Sequence, residues 1–416
     1  MDGTVKPRLL GSDQMLWWLI DQNHPVHAAL VAEVAGLTTV EQWRLALDQV
    51  QRSHPNLSGK IARAEDGNLW FHHVAGVLIP LRVVEGDPAA WVDELTKEIK
   101  TRMDLGRAPL ARATLIHRAD RSTLILAMHL AIADAKSILF AIRDALRVLS
   151  GQPIETLPPT PSLTSLLFRG SSSADSGAID DASPMPPASG KPDVFRSFEG
   201  ETPGVTRRML PPSLTSALRH RCRKEKVTVH GALVTAAIAA ARQVSVQLRK
   251  APIAVVSPTD MRALLGAGED VAPLAGGATM TMLPPTRPAA FWKTARLVRR
   301  NLVPPRSLSE LSRSFAPMAH FMSGHPSLHE AIAFLASHGG AKINVNNLGA
   351  VPFETRFGEF TLEAIWGPCL LLGYEGEQLI SAATINGSLH LMHTSYDPLP
   401  SVLAAMEHQL TAACAS

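Results

Sequence analysis

Apolar residues recur at helical spacing in residues 12–20, through Met15, Leu16, Leu19 and Ile20, and in residues 40–52, through Trp43, Leu45, Leu47 and Val50. Both spacings predict amphipathic helices, the first with Ser12 as its N-cap. The pattern then shortens. Residues 69–74, 79–84, 113–117 and 123–128 are apolar or branched runs bounded by Gly, Pro and Asp turns, and they predict strands. Helical spacing returns with Ile138, Ile142, Ala145, Leu146 and Leu149, which places His129 near a strand end and Asp134 near a helix start, where an Asp commonly caps.

Residues 151–203 change to Pro, Ser, Gly, Ala and Asp and read as a partly disordered crossover. Beyond it the pattern predicts helices at 212–224, 230–243, 289–302 and 326–338, with strands at 253–257, 342–345, 378–385 and 388–396. A last helix covers 399–413. The expected organisation is an N-terminal lobe over 1–150, a linker over 151–203 and a C-terminal lobe over 204–416.

A chain of 416 residues with 46% apolar content fills two cores of ordinary domain size. A net charge of +3, evenly spread, argues against a nucleic-acid protein. Two basic clusters, Arg219 to Lys224 and Arg296 to Arg306, read first as solvated helix faces; a landing surface for an acidic carrier protein is the competing reading. The three cysteines are too few and scattered for a disulfide framework, which suits a reducing cytoplasm. No apolar segment has the length of a signal core or a membrane span.

The candidate chemistry lies in residues 123–135, ending Met-His129-Leu130-Ala-Ile-Ala-Asp134-Ala135. This stretch resembles the His-His-x-x-x-Asp-Gly signature of the superfamily that includes chloramphenicol acetyltransferase, peptide-synthetase condensation domains and the diacyltransferases of mycobacterial phthiocerol lipids. His129 falls at the first His, Leu130 at the second and Ala135 at the Gly. Further segments match in order: Arg52-Ser-His54-Pro55-Asn-Leu57, Met103 to Arg112, Val227 to Leu233, Ser257-Pro-Thr-Asp260-Met-Arg262 and Asn346-Asn347-Leu348-Gly349.

The resemblance implies an α+β fold of two chloramphenicol-acetyltransferase-like lobes, each with helices packed on a mixed sheet and a tunnel between them. It implies a thioester donor on coenzyme A or on the phosphopantetheine of an acyl or peptidyl carrier protein, a small-molecule acceptor, and no bound cofactor. In that family the second His is the general base, an effect of about 10²- to 10⁴-fold, and Leu130 lacks a titratable group. Either His129 stays turned away from the tunnel, or a one-residue bulge re-aims it as a catalytic group. Asp134 and Arg262 are expected to form an ion pair between lobes. By the same resemblance Asn344, Asn346, Asn347, His230 and Thr384 face the tunnel, and Trp366-Gly367 supports its wall.

No metal site is expected. His390 and His393 have a spacing that sends them to opposite strand faces, and His325 and His329 lack the Glu of a His-Glu-x-x-His helix. Three functions remain open: acyl transfer to an amine or alcohol without the usual base, a repurposed pocket for cyclisation or rearrangement, and a non-catalytic partner of a carrier protein.

Overall fold

The computed structural model describes residues 6–87, 90–168, 195–196, 198, 200–282, 290–338 and 342–415. Among these, fifteen strands and thirteen α-helices build two six-stranded sheets and one three-stranded sheet. The small sheet has the order β1-β4-β3, from β1 (Arg8–Leu9), β3 (Gly59–Arg63) and β4 (Leu69–His73).

The first large sheet contains β2 (His27–Ala35), β5 (Leu81–Glu85), β6 (Ala111–Arg118), β7 (Arg121–His129), β12 (Arg356–Phe357) and β13 (Phe360–Cys369), in the order β12-β13-β2-β7-β6-β5. The β5–β6 pair is parallel and the others are antiparallel, so the sheet is mixed. Strands β2 and β7 lie at its centre. Ser122 to His129 are buried without a break, as a strand covered on both faces requires. Helix α1 (Ser12–Asp21), α2 (Val40–Ser53), α3 (Trp91–Ile99) and α4 (Ala135–Leu149) belong to this lobe, with α4 packed on β2, β7 and α2.

The second sheet has the order β10-β9-β11-β14-β15-β8. Its strands are β8 (Gly204–Leu210), β9 (Ile253–Asp260), β10 (Ala275–Met282), β11 (Ile343–Ala350), β14 (Gln378–Ile385) and β15 (Ser388–Ser395). Strand β11 runs parallel to both β9 and β14, and the remaining pairs are antiparallel. Helices α5 (Leu163–Leu167) and α6 (Pro212–Lys224) precede the Ala-rich α7 (Val229–Val244), which packs against α10 (Phe291–Asn301) and the final helix, α13 (Val402–Ala415). Short helices α8 (Val246–Lys250) and α9 (Arg262–Leu265) flank β9, and α11 (Leu308–Ser323) and α12 (Leu328–His338) lie against α1.

Sequence and structure differ at three places. Residues 204–416 are not one contiguous lobe, because β13 pairs with β2 and so completes the first sheet. From there β13 packs on β14 and β15, and Ala383, Ile385 and Met392 of the second sheet join the first lobe's core. Helix α1 begins at Ser12, but the cap is Gly11, whose N–H donates to Gln14 Oε1 at 3.0 Å. The crossover is ordered at its start, where α5 presents Thr164 Oγ1 to the Ser12 N–H at 2.9 Å; residues 169–194 lie outside the described residues.

Candidate active site

Strand β7 delivers His129 to the motif loop, and the loop turns both ring nitrogens inward. His129 Nδ1 accepts the Ala131 N–H at 3.0 Å, so the ring proton lies on Nε2. Nε2 faces Asp21 Oδ1, at the end of α1, at 3.4 Å. The ring is 0% exposed. Burial pushes the Asp21 carboxyl up, but the neighbouring His129 Nε2–H, the Val26 N–H and the charge of Arg102 outweigh it and hold the group below the usual aspartate range. Nδ1 is thereby committed to the motif loop and Nε2 is buried against the Asp21 carboxylate inside the first lobe, and the bulge that would re-aim the ring is absent: β2 and β7 pair in continuous register from Ala35↔Arg121 to His27↔His129. The catalytic assignment of His129 is corrected on that geometry.

Replacing His129 by Ala strands the Ala131 N–H and removes the neighbour of Asp21. The expected cost is about 1–3 kcal/mol, read as a lower urea midpoint. Activity per folded molecule should not change. A variant that melts like the parent yet loses activity would restore a chemical role to this ring.

Leu130 donates its N–H to Val26 O at 3.1 Å, and its side chain packs against both the first lobe's core and the cluster that joins α1 to Met322, Ala331, Leu335 and Tyr374. Position 130 is therefore apolar packing between lobes. Ala135 is the first residue of α4, where helical backbone accommodates a Cβ and no glycine is needed.

Asp134 caps α4. Its Oδ1 accepts the Ser137 N–H at 2.8 Å, and Ser137 Oγ receives the Asp134 N–H in return. The same carboxylate holds Arg262 of the second lobe bidentately, at 2.8 Å and 3.1 Å, and accepts the Leu274 N–H at 3.0 Å. Arg262 also donates to Asp260, Ser137 Oγ, Asp270 O and Ala272 O. Burial lowers the Arg262 pKa, but Asp134 and Asp260 more than reverse this, so the guanidinium stays charged at every working pH. The Asp of the motif is an inter-lobe clasp.

The other sequence-predicted positions separate by strand pleat. Ile343 and Val345 pack in the second lobe's core, so Asn344 and Asn346 take the opposite face of β11, the one towards the first lobe. Asn344 is 4% exposed and its Oδ1 has no partner. Asn347 lies on the core face and accepts the Gly349 N–H at 2.9 Å, a turn-forming contact. Thr384 shares parity with Ile380 and Ala382, both in the second core, so it does not face the first lobe. His230 Nε2 meets Ser257 Oγ at 2.9 Å, on the side of β9 that carries core residues Ile253 and Val255; burial lowers its pKa. The tunnel-facing expectation is thus corrected for His230, Asn347 and Thr384.

Trp366 sits in the seam between sheets and donates its indole N–H to Glu33 Oε1 at 2.7 Å. Gly367, with φ +113°, follows at a register shift, where a Cβ would come within 2.9 Å of Ala29 O. His390 and His393 do point to opposite faces: one ring lies edge-on to Trp366, the other bonds Gln378 at 2.9 Å. Among the described residues no cluster of three His, Cys, Asp or Glu side chains could hold a metal ion.

An inter-lobe cavity of about 250 Å³ lies beside α1, walled by Met15, Trp18 and Leu19, by Arg63, and by Met322 and His325 of the second lobe. None of the sequence-predicted positions lines it. Helix α1 separates it from the motif, to which Gln14 is tied by a 2.5 Å bond from Nε2 to Ala131 O. Asp13, beside it on α1, is buried with Oδ1 unpaired, and burial raises its pKa to about 7. The folded state then binds a proton that the unfolded Asp loses near its ordinary value of 3.8, so stability falls as pH rises from about 4 to about 7. Asp13→Asn should remove this dependence, and melting temperatures of parent and variant should diverge across that window; parallel curves would refute it.

No family model matches the sequence, and no curated protein does. Solved structures do. The first condensation domain of the CDA synthetase superposes with a TM-score of 0.72 at 15% identity, covering 100% of this chain and 97% of that one. Polyketide synthase associated protein 5 from Mycobacterium tuberculosis gives 0.64 at 19% identity over 98% and 99%. The epimerization domain from the third module of tyrocidine synthetase B gives 0.63 at 14% identity over 100% and 98%. The fold is that of condensation domains and related stand-alone proteins. Among the described residues no single helix is long and apolar enough to cross a membrane.

Proposed function

We propose that this chain is a biosynthetic condensation-fold enzyme that joins a thioester-bound acyl group to an amine or alcohol by positioning rather than by an imidazole base. The observation that carries the reading is the intact Asp134–Arg262 clasp within a fold matched over its whole length, beside an apolar Leu130. An amine that arrives neutral needs little help with its proton, and fixed orientation alone contributes about 7–11 kcal/mol in favourable cases. The donor would be carried on coenzyme A or on the phosphopantetheine of a carrier protein. Asn344 supports the reading: its buried, unpartnered Oδ1 faces the first lobe, where it can accept a hydrogen bond from a substrate.

The locked His129 and apolar Leu130 favour a second reading, in which the site directs cyclisation or rearrangement of a bound intermediate. Thiol release and intact mass, measured with acyl-pantetheine donors and a panel of amines and alcohols, separate the two. Acyl transfer releases thiol in step with product. Rearrangement yields product without thiol. Neither signal, together with carrier binding that weakens when Arg299 and Arg300 become Glu, would leave a non-catalytic carrier partner.

A further inference from the structure

Glu33 is the only charged residue of β2, and one of its oxygens collects three donors. Oε1 accepts the indole N–H of Trp91 at 2.9 Å, that of Trp366 at 2.7 Å, and Arg207 Nη1 at 3.0 Å. The Arg207 guanidinium carbon lies 4.8 Å from the Trp91 ring centroid and 5.4 Å from that of Trp366. The two indoles are 5.8 Å apart and inclined by 36°, and the His390 ring abuts Trp366 edge-on at 4.6 Å. Buried indoles need acceptors, and Glu33 would serve them without Arg207. That need does not explain a guanidinium placed over both rings. Two aromatic faces and a carboxylate are the components of an organic-cation site.

The walls and the guest come from different lobes. Trp91 belongs to α3, Glu33 to β2 and Trp366 to β13, all of the first lobe, whereas Arg207 projects from β8, the edge strand of the second sheet. Thr206 to Met209 are solvent-exposed, and the Arg207 side chain itself is 33% exposed, so the cage opens to water on the side its occupant enters.

We infer that Trp91, Trp366 and Glu33 form a binding cage for guanidinium or alkylammonium groups, which the chain fills with its own Arg207 to pin β8 to the first lobe. Emptied of that side chain, the cage binds a soluble alkylguanidinium.

Arg207→Ala in the full chain tests this by chemical rescue. The variant should melt below the parent, with a shifted tryptophan emission and about tenfold faster amide exchange in β8. Millimolar ethylguanidinium should restore melting temperature and emission saturably, ethylammonium less well, and urea, neutral and of similar shape, not at all. Adding Glu33→Gln should abolish the rescue. Unchanged exchange in β8, or a rescue that urea or the double variant shows equally, overturns the inference. If Arg207→Ala does not fold, Arg207→Lys keeps the charge and loses the planar fork; it should show the faster β8 exchange, and parent-like exchange counts against the cage.

Discussion

Asp134→Ala is expected to cost about 3–5 kcal/mol of stability, because it leaves the Arg262 guanidinium, 5% exposed, without its bidentate partner. The loss is larger than that of an ordinary helix cap, about 1 kcal/mol, since the same carboxylate caps α4, holds the Leu274 N–H and joins the lobes. Asp260 remains near Arg262 at 3.1 Å and softens the effect without replacing it. Asp134→Asn, which can still accept the cap bond, should fall between the two. Removing Arg262 as well should cost less than the sum of the single losses, because each single change already breaks the shared bonds. Urea midpoints of the parent, the three single variants and the double variant measure this directly. An Asp134→Ala protein with parent-like melting would remove the clasp from the account of the fold.

The second large effect is chemical. Leu130→His should raise thiol release from an acyl-pantetheine donor by about 10²- to 10⁴-fold if acyl transfer is the reaction. The new imidazole would be half-buried among the side chains of α1 and Met322, an environment that disfavours its charged form and keeps it available as a base. Placing a polar ring there should destabilise the protein by about 1–3 kcal/mol, so rates are compared per folded molecule. A well-folded Leu130→His protein with no gain would argue for rearrangement or binding, since neither depends on a base at that position. The same measurement on His129→Ala separates the neighbours: one side chain looks into the lobe interface, the other is sealed behind α1.

The two effects fall on neighbouring parts of one loop. The clasp through Asp134 is complete down to its Ser137 and Leu274 contacts, whereas position 130 carries apolar packing.

Much of this was legible in the chain itself. The helical spacing around Trp43 and Ile138 gave α2 and α4, and Asp134 stood just ahead of that spacing, where an Asp commonly caps. Strand β2 was missed because His-Ala-Ala-Leu-Val-Ala-Glu-Val-Ala has neither alternation nor branched-residue density, although it lies at the centre of a sheet. Helix α11 was missed because Pro317 lies inside it, and an internal proline reads as a stop. Strand β8 and the Arg207 cage gave no signal, since a lone Glu, two distant tryptophans and an exposed Arg have no shared spacing.

The sequence by itself determined the local periods, the cap at Asp134 and the absence of a titratable side chain at position 130, because each depends on residues within a few positions of one another. Only the tertiary structure decided which way His129, Asn347 and Thr384 face, that β13 returns to the first sheet, and that Glu33 holds an arginine from the opposite lobe. Those outcomes depend on strand register and on contacts between residues more than 150 positions apart, where a shift of one residue reverses every side chain.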